Sequence, residues 1–205
     1  MKLRVPTNWR TAMLDINQFD VLVLPGSHNS GPEHWQTHWE AAFPNMCRVE
    51  QDNWDEPVYS EWSHRLSEAV GASKRPILMV AHSLGTALAV RWSQESAALT
   101  NAVAGAFLVA PSDIDRLTKV LRYPALGFDP VIMERLPFPS VVLASRDDDR
   151  VTFERAEAFA SAWGASFIDV GMQGHIGSAA KLGLWPQGLV WLGQFIASIS
   201  NEAHT

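Results

Sequence analysis

Two kinds of hydrophobic pattern alternate along the chain. Val21 to Leu24, Ile77 to Val80, Ala104 to Val109 and Ser140 to Ala144 are short runs that stay apolar on successive residues. Runs of this kind predict strands buried on both faces. Cys47 to Glu50 predicts a weak strand, and Ser166 to Val170 a further strand. Between them lie longer stretches whose apolar positions recur at helical spacing. They are Glu33 to Phe43, Pro57 to Val70, Leu84 to Ala97, Thr152 to Trp163 and Pro186 to Ile199. In the first of these, Trp35, Trp39, Ala42 and Phe43 mark the apolar face.

Strands with no polar face, separated by helices, require cover on both sides. The pattern therefore predicts an α/β fold over residues 1–205, a doubly wound and mostly parallel sheet of about six strands with helices on both faces. Ligands of such sheets bind outside the carboxyl ends of the strands. The loops to search are those after Leu24, Val80, Val109, Ser145 and Val170. The stretch from Asp113 to Pro139 is the least regular and is placed to cover part of that face.

Composition narrows the function. With 205 residues, 47% hydrophobic and 19% charged, the chain is long and apolar enough for one well-buried domain and is not a disordered one. A net charge of −6 argues against a nucleic-acid partner, since a phosphate-binding surface needs clustered Lys and Arg. The longest apolar stretches, such as Ala102 to Pro111, are far short of the ~20 residues that span a bilayer. Met1 to Trp9 meets Pro6, Thr7 and Asn8 before any apolar core and so does not read as a secretory leader. A lone Cys47 cannot form an internal disulfide, and reads as a small buried apolar residue rather than a reactive thiol. A cytoplasmic protein with a small-molecule substrate is expected.

The strand-end loops carry the candidate chemistry. Ile77 to Val80 runs into Ala81-His82-Ser83-Leu84-Gly85 and then a helix. A nucleophile elbow needs small residues two before and two after its serine; Gly85 fits, and Ala81 adds one methyl to the usual glycine. The other reading of Ser83 is a simple helix N-cap. The later loops favour the elbow, because Ser145 to Val151 offers Asp147, Asp148 and Asp149, and Gly171 to His175 ends on a histidine. Serine, then acid, then histidine is the chain order of α/β-hydrolases. A serine hydroxyl attacks only when a base takes its proton, and the imidazole needs a carboxylate to fix its tautomer.

Ser83, Asp148 and His175 are the candidate catalytic set. Asp147 is the rival acid, and Asp113, one strand earlier, is a further one. Backbone N–H groups of Ser27 and Leu84 are the expected oxyanion donors, one from the loop after the first parallel strand and one from the start of the elbow helix. His28, His34 and His82 are expected around the substrate. His34 and His38, four apart on a predicted helix, could instead hold zinc, but the glutamate of a metalloprotease motif is missing after the first, and no metal is assigned. A second alternative is a catalytically silent protein that keeps the fold and binds a ligand or protein, for which the nine Trp could supply a surface.

Several strings then match one family. They are Asn29-Ser30-Gly31-Pro32-Glu33-His34-Trp35-Gln36, Trp54 to Pro57, the Ser83 elbow, Leu108 to Pro111, Ala144 to Val151, Gly174-His175-Ile176 and Leu182 to Gly188. The chain resembles the YdeN-type small α/β-hydrolases, which include the retinoblastoma-binding serine hydrolase, over nearly its whole length. The resemblance implies a cofactor-free serine hydrolase with little or no lid, acting on esters or amides, with Ser83, Asp148 and His175 in the catalytic positions. Asn29 and Gly177 stand where the family pattern carries glycine and asparagine, and Asp147-Asp148-Asp149-Arg150 stands where it carries Asn-Asp-Pro-Tyr.

Overall fold

The computed structural model describes residues 16–119 and 122–202. The stretch Met1 to Trp9, and with it the reading on a leader, lies outside them. The elements in chain order are β1 (Asp20–Leu24), α1 (Trp35–Ala42), β2 (Met46–Arg48), α2 (Tyr59–Ala72), β3 (Ile77–His82) and α3 (Leu84–Glu95). The short α4 (Ala97–Thr100) leads to β4 (Val103–Val109), α5 (Ile114–Lys119), β5 (Ser140–Ala144), α6 (Phe153–Trp163), β6 (Ser166–Asp169) and α7 (Pro186–Glu202). Every strand pairing is parallel, in the order β2-β1-β3-β4-β5-β6. This is the expected α/β-hydrolase sheet.

The alternation of side chains along each strand divides the interior into two cores. Leu22, Leu24, Met79, Ala81, Leu108, Val142 and Ala144 point to the face covered by α2, α3 and α6, where Trp62, Leu66, Leu88, Trp92 and Phe159 meet them. Val21, Val23, Leu78, Val80, Phe107, Val109, Val141 and Leu143 point to the other face, covered by Trp35 and Trp39 of α1 and by Leu192, Phe195 and Ile196 of α7. Burying each Val or Leu side chain contributes about 1.5–3 kcal/mol, so the central strands are the stable frame on which the loops are hung. Of the eight described Trp, Trp35, Trp39, Trp62, Trp92, Trp163 and Trp185 are buried, and their first role is packing.

Differences from the expected elements have local causes. Thr152 is the N-cap of α6, accepting from the Arg155 amide at 3.2 Å, so the helix begins one residue later. His34 plays the same part for α1. Asp113 to Pro139 is not wholly irregular: it contains α5, and Leu126 closes a backbone exchange with Pro57 and Tyr59 that ties it to the start of α2. Cys47 is exposed, which corrects the expectation of a buried residue. It lies on the edge strand β2, where Met46 takes the core side and the next side chain must face out.

Candidate active site

The turn from β3 into α3 is shaped by what surrounds it. Ser83 sits at φ 55° and ψ −123°, a conformation that costs an L-residue about 1–3 kcal/mol and must be held from outside. The restraint is close packing against the loop after β1. A Cβ on Gly85 would lie 2.2 Å from the Leu24 carbonyl oxygen and 2.7 Å from that of Pro25. A Cβ on Gly26 would lie 2.7 Å from the Cβ of Ser83. Only residues without side chains let this loop and the turn approach so closely. Ser83 makes no side-chain capping bond to α3, so its hydroxyl is left for other partners.

Those partners come from later strand ends. The Ser83 hydroxyl donates to Nε2 of His175 at 2.7 Å. Nδ1–H of His175 donates to Asp148, with both carboxylate oxygens at 2.9 Å. The Asp148 side chain is 0% exposed and also accepts from the Arg150 amide at 2.8 Å. A carboxylate so placed fixes Nδ1 as the protonated nitrogen and leaves the Nε2 lone pair facing the serine. An imidazole in that state can take the serine proton during attack on a carbonyl.

The rival acids are engaged elsewhere. Asp147 accepts from the Ser145 hydroxyl at 2.7 Å and from the Gly174 amide at 2.9 Å, and so bridges the acid loop to the histidine loop. These bonds, the hydroxyl's foremost, hold its carboxyl below the ordinary carboxylate value. Asp113 faces Arg155, 3.4 Å away. Asp149 is exposed beside Arg150.

The histidines expected around the substrate take distinct places. His28, His34 and His82 all line one cavity of about 190 Å³ together with Ser27, Ser83, Tyr123, Arg150, His175 and Gly177. His28 is at the exposed rim, its Nδ1 2.8 Å from Asp55. His82 is buried, and its Nε2–H donates to the His175 carbonyl at 2.8 Å, which anchors the backbone that carries the His175 ring. Burial first, and then the neighbouring His34 and His175, hold the His82 pKa well below 6.5. His34 is buried as well, with its Nδ1 accepting from the Gln36 amide at 3.2 Å. Among the described residues no group of three or more His, Cys, Asp or Glu is gathered so as to hold a metal ion.

The string from Asn29 to Gln36 gains a physical explanation. The Ser30 hydroxyl donates to the Gln36 side chain at 2.6 Å, and that amide donates to the carbonyls of Leu24 at 3.3 Å and Val80 at 3.0 Å. The buried amide thus ties the β1 and β3 ends together below the elbow. Trp35 donates to the Ile176 carbonyl at 2.9 Å, next to His175. Asn29 adopts φ 63°, a conformation open to glycine and tolerated by asparagine, and its side chain accepts from Arg48 at 2.7 Å.

Ser112 was not among the sequence candidates. Its hydroxyl lies 3.1 Å from that of Ser83 and is buried. With the Ser83 proton directed at His175, Ser112 is the donor of that pair. Its place in Ala110-Pro111-Ser112, directly after β4, was the available signal.

A parallel doubly wound sheet with a serine on the tight turn after a central strand, facing a histidine from a later strand end, defines the α/β-hydrolases. Residues 21–194 match the serine hydrolase family, and the chain belongs to it as an enzyme of the serine hydrolase type. A YdeN-like hydrolase of Pectobacterium atrosepticum is 30% identical, with a TM-score of 0.78 over 89% of this chain and 93% of that one. The ydeN product of Bacillus subtilis is 18% identical, with a TM-score of 0.65 over 87% of this chain and 99% of that one. Est1E of Butyrivibrio proteoclasticus, solved with ferulic acid bound, shares the fold at 12% identity, with a TM-score of 0.60 over 89% and 88% of the two chains. No curated protein matches the chain. No described helix is long and apolar enough to cross a membrane.

Proposed function

We propose that this enzyme hydrolyses a small carboxylic ester, or an amide or thioester of similar size, through an acyl-enzyme on Ser83. His175 accepts the Ser83 proton as the oxygen attacks the carbonyl carbon, and Asp148 stabilises the imidazolium that forms. The tetrahedral oxyanion is met by the backbone N–H groups of Ser27 and Leu84. Leu84 is the first residue of α3, so its N–H has no place in the helical ladder and points out of the positive end of the helix dipole. Ser27 follows Gly26, which packs directly on Ser83. His175 then gives its proton to the leaving group, and the same imidazole activates the water that cleaves the acyl-enzyme. His28 and His34 face the substrate, and His82 holds the base in position.

Every group these steps use belongs to the chain, so the reaction calls for no cofactor, and the setting is the cytoplasm. The observation that carries the reading is the continuous chain of contacts, 2.7 Å from hydroxyl to imidazole and 2.9 Å from imidazole to a fully buried carboxylate. A fluorophosphonate probe tests it. Wild-type protein should take one label on Ser83, and Ser83→Ala should take none while keeping its melting temperature. An unlabelled wild type would favour the silent binding protein instead.

A further inference from the structure

His34 holds a buried donor for which the protein supplies no acceptor. Its Nδ1 accepts from the amide of Gln36 as the N-cap of α1. A ring nitrogen that accepts carries no proton, so in the neutral imidazole the proton sits on Nε2. Neutrality is enforced by the surroundings: burial first, and then the charge of Arg48, push the pKa down to about 3. His34 is 4% exposed, and its Nε2 has no hydrogen-bond partner. Buried N–H groups are nearly always paired in folded proteins, so an orphan on the wall of a reaction cavity calls for an explanation.

The space beside this donor lies toward residue 177. Both His34 and Gly177 line the cavity that contains Ser83 and His175. A Cβ built on Gly177 would be 3.9 Å from His34 Nε2, 3.8 Å from His82 Cε1 and 4.0 Å from the His175 carbonyl oxygen. The backbone of Gly177 is at φ −103°, which any residue adopts. Glycine is therefore not required there by the turn, and it leaves free the volume of one small group in van der Waals contact with the His34 ring.

We propose that His34 is a specificity-determining residue whose Nε2–H donates to an oxygen acceptor on the acyl group of the substrate, which enters over Gly177. The preferred class is a short acyl group bearing a carbonyl or ether oxygen, and a plain alkyl acyl group of the same length is disfavoured. The recess beside Ser83, about 190 Å³, holds an acyl group of this size. The proposal rests on the hydrolase reading and adds to it which end of the substrate is recognised.

Matched p-nitrophenyl esters test it: methoxyacetate against butyrate, and 4-oxopentanoate against pentanoate. Each pair differs chiefly in one acceptor oxygen. Dividing the wild-type ratio of kcat/KM, oxygenated over alkyl, by the ratio for a variant cancels the intrinsic reactivity of the esters. His34→Asn retains an N-cap acceptor for α1, and its NH₂ ends short of the Nε2 position, so the donor there is lost. Gly177→Asn fills the free volume and offers the donor an acceptor from the protein itself. In at least one pair each variant should lower the ratio about tenfold, equivalent to about 1.4 kcal/mol. Unchanged ratios in both pairs for both variants would overturn the proposal. Wild type that turns over no ester at all would instead sink the hydrolase reading. A measurement on unaltered protein stands beside this: long-range ¹H–¹⁵N spectra, assigned by loss of the peak in His34→Asn, should show a protonated Nε2 at neutral pH. A protonated Nδ1 would refute the donor.

Discussion

Replacing Asp148 by Asn removes one charge and almost no volume from a site that leaves its occupant little freedom. The carboxylate is fully buried, receives Nδ1–H of His175 at 2.9 Å on either oxygen, and accepts the Arg150 amide at 2.8 Å. An Asn amide in the same place can satisfy the Arg150 N–H with its oxygen, and then presents its NH₂ to His175. That contact favours the tautomer protonated on Nε2, which cannot accept from Ser83. In a serine protease the corresponding change costs about 10⁴-fold in kcat, some 5.5 kcal/mol at 1.36 kcal/mol per factor of ten. A loss of this order is expected in kcat for p-nitrophenyl butyrate, with KM little changed and the melting temperature within a few degrees of wild type.

Asp147→Asn supplies the control. Asp147 acts only as an acceptor, from Ser145 and Gly174, and an Asn oxygen can still accept from both. Its loss should stay below about tenfold, the range for weakening hydrogen bonds that are not broken. The two variants should thus differ by about 10³-fold or more in kcat. Equal losses, or an Asp148→Asn enzyme within tenfold of wild type, would refute the assignment of the acid.

Gly85→Ala should damage both stability and turnover. The new methyl meets backbone oxygens at 2.2 and 2.7 Å, so the loop after β1 must withdraw. Overpacking of this kind costs about 1–3 kcal/mol, read as a lowered melting temperature. Displacing an oxyanion amide costs about 10²–10³ in kcat, and a variant with wild-type turnover would show that the loop supplies no such group. Acid should destabilise the fold through the buried neutral histidines. His34 has an ordinary value of 6.5 but a folded value of about 3, so between those limits the unfolded chain binds the extra proton. Stability is then fully present above pH 6.5 and falls as pH drops toward 3, by up to about 1.4 kcal/mol per unit. His82, shifted in the same direction, adds to the slope. Urea unfolding at pH 7 and pH 5 should show a smaller decline for His34→Asn than for wild type; identical declines would contradict the buried neutral ring.

Much of the active site could be read from the sequence because the elements involved are local. The turn after β3 needs small neighbours within a few residues, and Gly85 supplies one in plain view. His175 follows a strand end at short range, as does the triple aspartate. Asp148 could be chosen from the sequence and its family resemblance, but local pattern alone left Asp147 as a rival. Consecutive residues differ in direction through loop dihedrals and through partners such as Ser145 and Gly174, which the linear order does not bring together. The same limit hid Ser112 and the anchoring role of His82, both of which depend on contacts between separate strand-end loops.

The amino-acid order by itself determined the strand and helix alternation, the parallel sheet, the tight turn at Ser83 and a set of three candidate groups, because periodicity and turn chemistry act over a few neighbouring residues. Only the tertiary structure decided that Asp148 is the carboxylate touching His175, that Cys47 faces outward on an edge strand, and that His34 keeps a buried donor without a partner. Those outcomes depend on direction and on burial. A side chain acquires both only when distant segments pack together and remove the water that would otherwise satisfy it.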